Sequence, residues 1–168
     1  VSTRSLHGTP NLAPFSFFGA ISASPMLLSL SIGTRNGVAK DSLQNIREHG
    51  EFCINVVTEG QLEQMNVTAG EYPPDVDEFA RAGLPVGEAE TVDAPYVGSC
   101  PAVFECRLFK EVDLAPGVSL VIAEPLGIRL DESLPIREGT RFVVSERLKP
   151  VGRLAGADYG LLGEVKTI

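Results

Sequence analysis

From Met26 to Ile32 the chain alternates, with Leu28, Leu30 and Ile32 on one side and Leu27, Ser29 and Ser31 on the other. That period-two pattern predicts a strand with one buried face. Glu51 to Val57 alternates too, but Phe52, Ile54 and Val56 oppose Cys53, Asn55 and Val57. Both of its faces are largely apolar, as in the wall of a closed barrel. Ala102 to Val112 puts Phe104, Cys106 and Leu108 inward and Glu105 and Arg107 outward. After a hairpin at Leu114 to Gly117, Val118 to Glu124 and Ile128 to Leu130 predict a further strand, broken near Pro125 to Gly127. Val1 to Arg4 reads as the end of a strand, with upstream residues expected to precede it; Leu6 to Pro10 and Ala23 to Pro25 read as turns.

Helical signals are short. Asp41 is placed as the N-cap of a helix, with Gln44 three residues on and Gly50 as its stop; Leu43 and Ile46 share its apolar face. Gln61 to Ala69 and Val76 to Ala82, the latter ending at Gly83, predict two more helical pieces. Leu84 to Gly98 is proline-spaced and is expected to run extended over the surface. The pattern predicts a mainly β chain with short helices, a small Greek-key-like barrel in one domain spanning residues 1–168. Long helices do not alternate with the strands, which argues against a doubly wound sheet. Neither a GxGxxG after a strand nor a GxxxxGK[ST] sequence occurs.

Composition narrows the partners. Twenty-two acidic against 14 basic residues give a formal net charge of −8, which disfavours nucleic acid or anionic lipid, both held largely by Lys and Arg. An apolar run of about 18 residues is missing, as is a leader, so no membrane span is expected and the cytoplasm is the expected compartment. Cys53, Cys100 and Cys106 form no CxxC pair and are expected as buried free thiols; His7 and His49 share no ligand spacing with them, so no metal site is expected.

Candidate chemistry lies in three places. Asn11, Leu12, Ala13, Pro14, Phe15, Ser16, Phe17 and Phe18 mix small hydrogen-bonding groups, a proline and aromatics in what is expected to be one strand running to about Ser22. It is either an irregular edge strand or a surface for a flat, partly polar molecule. Gly33 to Ala39 reads as a basic-tipped glycine loop leading to Lys40, Asp41 and Ser42, with Lys40 and Ser42 expected to be exposed. Unpaired amides and the positive end of the helix dipole suit that entrance to an anion, although an ordinary solvated helix start has the same sequence. Finally, Tyr72 sits in a proline-bounded loop, and the glycine-rich tail carries Arg153 and Tyr159. The carboxylates Asp75, Asp77 and Glu78 read as a solvated helix face, and no acid–base catalytic pair is apparent.

Taken in order, Asn11 to Phe18, Ser29 to Gly33, Lys40 to Asn45, Gly50 to Asn55, Glu71 to Pro73, and Gly152 to Gly156 with Tyr159 resemble the flavin reductase-like family of FMN-binding split barrels. The resemblance implies a homodimer with FMN at its interface. It implies that Asn11, Leu12, Ala13, Pro14, Phe15 and Ser16 line the isoalloxazine and that Ser31, Ile32 and Gly33 lie near the ribityl chain. Lys40, Asp41 and Ser42, supported by Asn45, are then implied to hold the phosphate, with Tyr72, Arg153 and Tyr159 as lid or partner-subunit contributions. The family's usual Asn is Gly19 here, and its usual Thr is Ser42, which keeps the hydroxyl. The implied chemistry is hydride transfer from NAD(P)H to the flavin and electron delivery to an acceptor, for instance a monooxygenase partner. Two alternatives stay open: an FMN electron carrier without nicotinamide turnover, and a non-flavin barrel serving as an interaction module.

Overall fold

The alternating segments assemble into one antiparallel sheet. The structure is a computed structural model and describes residues 1–166. Its elements run β1 (Ser2–Arg4), β2 (Pro10–Leu12), β3 (Phe18–Ala23), β4 (Met26–Arg35), β5 (Val38–Ala39), α1 (Asp41–His49) and β6 (Glu51–Asn55). A 3-10 turn (Glu59–Gln61) leads into α2 (Leu62–Thr68) and α3 (Glu78–Ala82). Then follow β7 (Val86–Glu88), β8 (Pro95–Val97), β9 (Ala102–Ala115), β10 (Val118–Leu130), α4 (Ser145–Leu148), β11 (Val151–Arg153) and β12 (Tyr159–Leu161). The main sheet has the order β2-β1-β6-β9-β10-β4-β3, with β5 paired to β4. Its two ends, β2 and β3, are not paired with each other, and the barrel is split there.

Two apolar clusters explain the two-sided pattern of β6. Phe52 and Ile54 join Leu28, Leu30 and Ile32 from β4, Leu43 and Ile46 from α1, and Val121 from β10. On the opposite face Cys53 packs with Val103, Phe79, Tyr96 and Leu12. Burying a side chain as completely as Phe52, at 0% exposure, is worth about 1.5–3 kcal/mol relative to leaving it in water. The helix face read in the sequence supplies the lid of the first cluster, since Leu43 and Ile46 recur at helical spacing.

Several expectations are corrected by this packing. Asn11 to Phe18 is not one strand: β2 ends at Leu12, an irregular stretch follows, and β3 begins at Phe18. Pro14, with no N–H, removes a ladder donor at the junction. Gly33 to Ala39 is not a loop, because β4 continues to Arg35 and turns back through Asn36 and Gly37 into β5. Both turn residues have positive φ, 50° and 77°, the geometry of a two-residue hairpin whose twist matches the strands. Leu84 to Gly98 is only partly a surface run. It forms the β7–β8 hairpin, whose first arm is largely exposed while Pro95 to Val97 are buried on the second cluster. There Ser2 Oγ donates to the Pro95 carbonyl at 2.6 Å, and Asn55 Oδ1 accepts from the Val97 amide at 2.9 Å.

Glu105 is buried rather than outward-facing. Its carboxylate accepts from the amides of Glu90 and Thr91 and from the Thr91 hydroxyl, a donor set that compensates for removal from water. The break near Pro125 is a register shift within one continuous β10. Cys53, Cys100 and Cys106 are free and buried; burial pushes the Cys53 thiol up to about 12 and those of Cys100 and Cys106 above the usual thiol range. Among the described residues, no helix is long and apolar enough to cross a membrane, and no group of three or more His, Cys, Asp or Glu side chains converges on one point.

Candidate functional site: a two-ended cleft at the barrel opening

Where the sheet splits, the chain from Ala13 to Phe17 crosses between the edges, tied at one side by the Ala13 amide to the Val1 carbonyl and at the other by Phe17, whose carbonyl accepts from the Ser31 amide. Two hollows flank this crossing, of about 340 and about 460 Å³. Pro14, Phe15 and Arg153 line both, so they form the two ends of one cleft.

The smaller end is mostly apolar. Phe18, Leu30, Ile54 and Met65 wall it, with Ser16 and Tyr159 contributing polar atoms. Tyr159 and Arg153 arrive together because they are paired across the β11–β12 hairpin, and that hairpin is held beside the cleft by the Val151 amide on the Val57 carbonyl at 3.2 Å.

The larger end is polar and is built on the entrance of α1. Here the sequence expectation about the cap is corrected. Lys40 occupies the N-cap position with extended backbone (φ −66°, ψ 152°) and makes no side-chain cap. Its carbonyl accepts from the amides of Leu43 and Gln44, so Asp41 is the first helical residue. Gln44 reaches back to the Ala39 carbonyl at 2.8 Å instead of completing a capping box. The amides of Asp41 and Ser42 precede the first intrahelical bonds and carry the positive end of the helix dipole.

Ser42 is not exposed; only 1% of it is accessible. Its Oγ accepts from Asn11 Nδ2 at 3.0 Å, and Asn11 Nδ2 also donates to Thr3 Oγ1, which accepts in turn from Asn45 Nδ2 at 2.9 Å. Because Ser42 is an acceptor in this network, its own hydroxyl proton remains to be donated. Lys40 is half-buried, with its Nζ 5.4 Å from the centre of the Phe15 ring. Burial and, secondarily, the neighbouring Arg35 guanidinium hold its ammonium below the usual lysine range. Two cations thus share the helix mouth; Arg35 is paired with Glu71, while Lys40 has the Phe15 ring beside it.

Of the residues singled out in the sequence, Asn11, Ala13, Pro14, Phe15, Lys40, Asp41, Ser42, Tyr72 and Arg153 line the larger end, and Pro14, Phe15, Ser16, Arg153 and Tyr159 the smaller. Leu12 packs in the second core cluster, and Asn45 stands behind Ser42 in the buried network. Ile32 is fully buried in the first cluster, while Ser31 and Gly33 pair with β10; this segment does not line the cleft. The Tyr72 hydroxyl donates to the Val67 carbonyl, and its ring lies 5.8 Å from the Arg81 guanidinium.

Sequence reasoning missed two residues here. Arg35 reaches the larger end from the strand before the Asn36–Gly37 turn and pairs with Glu71 at 3.2 Å; the turn dipeptide, read as a hairpin, is the signal that could have found it. Glu78, expected on a solvated face, is 7% exposed and lines the cleft. Its carboxylate accepts from the Leu12 amide at 3.0 Å. Burial raises its pKa; the Leu12 bond offsets part of this, and the charges of Asp41 and Asp77 add to it.

Fold and cleft together define a split β-barrel, and the chain belongs to the flavin reductase-like family, whose domain model matches residues 1–142. Among solved structures it is similar to nitrilotriacetate monooxygenase component B from Bacillus cereus, with 31% identity and a TM-score of 0.93 over 99% of this chain and 84% of that one. It is also similar to the 2-nitrobenzoate 2-nitroreductase NbaA of Pseudomonas fluorescens, with 27% identity and a TM-score of 0.88 over 99% and 80% of the two chains. An uncharacterized protein of Bacillus subtilis, YwrF, is 36% identical over the full chain and 84% of its own length.

Proposed function

We propose that the chain is an FMN-binding oxidoreductase that passes electrons from NAD(P)H through the flavin to an acceptor. The observation that carries this reading is the two-ended cleft: a helix mouth with converging Lys40 and Arg35 at one end, and an apolar pocket at the other. A molecule with a flat ring system and a terminal phosphate needs both. The present residues fit it: the Asp41 and Ser42 amides, the Ser42 hydroxyl and Lys40 hold the phosphate, and Arg35 adds a second cation. Ala13 to Ser16, with Leu30 and Ile54 beneath, take the ring.

When bound, flavin supplies the hydride and electron chemistry. The protein's work is to orient the ring, shield it from water and fix its phosphate. Pro14 presents no N–H to the cleft, and Ser16 offers a hydroxyl. Arg153 and Tyr159, on a hairpin that borders both ends, restrict access. The monooxygenase component and the nitroreductase among the similar structures support a redox role with an external acceptor.

Assembly as a homodimer is part of the same reading. Phe17 is 78% exposed, and Phe18, Ile21 and Met26 are exposed beside it on the edge strand β3 and the start of β4. An apolar edge of this kind is stabilised by a covering partner.

The test is an anaerobic titration of the purified chain with FMN and riboflavin, followed by NADH or NADPH. Tighter binding of FMN than of riboflavin, with bleaching of the flavin band on nicotinamide addition, is the expected result. Binding without bleaching by either nicotinamide leaves an electron carrier, and no flavin binding overturns the proposal.

A further inference from the structure

We infer that Glu78 is a positioning residue for the ring end of the cleft, acting through the main chain of Leu12; this rests on the flavin reading above. β2 is an edge strand, and its pairing with β1 is spent on the other side, where Ala13 and Val1 exchange both main-chain hydrogen bonds. The amide of Leu12 therefore points away from the sheet, with no strand to receive it. Glu78 Oε2 takes it at 3.0 Å, in buried surroundings.

That bond acts at a particular place. The next four residues, Ala13 to Ser16, carry no regular structure and form the wall shared by the two ends of the cleft. Pro14 contributes no donor of its own, so the crossing depends on its anchors for its path. The anchor itself is rigid. Phe79, the neighbour of Glu78, is fully buried in the second cluster. Asp77 caps α3 by accepting from the Ala80 amide at 3.2 Å, and Gly83 closes the helix in left-handed geometry. Glu78 thus carries the position of α3 to the strand end that starts the crossing, a distance of 66 residues in sequence.

A carboxylate beside Asp41 also has a competing role open to it, as a charge acting on the phosphate. The two roles separate because riboflavin lacks the phosphate. An anchor of the ring wall affects FMN and riboflavin alike, whereas a charge at the helix mouth affects FMN alone.

The experiment measures Kd for FMN and riboflavin in the full chain and in Glu78→Gln, Glu78→Leu and Glu78→Asp, together with the shape of the visible flavin band. Glu78→Gln retains an acceptor for the Leu12 amide and is expected to keep both Kd values within about threefold of the parent. Glu78→Leu removes it and is expected to raise both by a common factor of about ten, with a changed band shape. Unchanged Kd values in the folded Leu variant, a loss confined to FMN, or a tenfold loss in the folded Gln variant each overturn the assignment. If the Leu variant does not fold, Glu78→Asp, one methylene shorter, decides in its place: a common loss supports the anchor, and no loss or an FMN-only loss refutes it. A parent chain that binds neither flavin overturns the flavin reading itself, an outcome distinct from a parent that binds and variants that do not differ.

Discussion

The two ends of the cleft are built in opposite ways. The polar end is centred on one contiguous stretch, Arg35 to Gln44, in which a two-residue turn and the short β5 lead into a helix. Asn11, Tyr72, Glu78 and Arg153 complete its wall from elsewhere. The apolar end is assembled from distant pieces: Leu30 and Ile54 from β4 and β6 of the main sheet, Pro14 from the crossing, and Tyr159 from the separate β11–β12 hairpin. Lys40, at the polar end, is held by local geometry and can be removed at modest cost to the fold, whereas Ser42 is also tied into a buried network. At the apolar end, the wall is also the core, so binding and stability are inseparable there.

Substitutions at each end sharpen that contrast. The largest effect is expected for Leu30→Ala, which empties a fully buried site shared by the core and the cleft. A loss of about 3 kcal/mol in denaturant unfolding is expected, with weaker binding of FMN and riboflavin alike. Ser42→Ala leaves an Asn11 N–H without its buried acceptor and is expected to cost about 2 kcal/mol by the same measurement, while weakening FMN more than riboflavin. Lys40→Ala is expected to weaken FMN by about tenfold and to leave riboflavin unchanged, as read by fluorescence titration. Its effect on thermal stability is within about 0.5 kcal/mol, because removing a half-buried ammonium that burial and Arg35 disfavour relieves a cost.

The smallest effect concerns pH. Burial raises the Glu78 pKa in the folded chain, so between the unfolded and folded values the folded state binds more protons and stability falls as pH rises. Below the ordinary glutamate pKa both states are protonated and the cost is absent. Glu78→Gln removes the titration. Its melting temperature is therefore expected to gain on the parent as pH rises above that ordinary value and to match it in acid. A difference that does not change with pH would count against a buried, titrating Glu78.

The sequence made the regular parts visible because they obey a period. Leu28, Leu30 and Ile32 alternate, Leu43 and Ile46 recur at helical spacing, and each lies where its pattern puts it. It hid whatever depends on a distant partner. Glu105 and Glu78 look like surface residues until the Thr91 and Leu12 amides arrive from elsewhere in the chain. Pro95 to Val97 look like a surface run until β6 and β1 are seen to need a cover. In the candidate site, the helix mouth was legible in Lys40 to Ser42, but the burial of Ser42 follows from Asn11, 31 positions away. Arg35 is hidden for a different reason: Gly33 to Ala39 has the glycine content of a loop, yet the Asn36-Gly37 pair within it is itself a hairpin signal.

Cys53, Cys100 and Cys106 are enclosed, and their thiols titrate above the usual range, so in the native state they present little thiolate to an electrophile. Alkylating reagents should therefore report opening of the barrel, each sulfur becoming a clock for the segment that covers it. Cys106 would time exposure of the cluster roofed by α1, and Cys53 that of the cluster roofed by the β7–β8 hairpin.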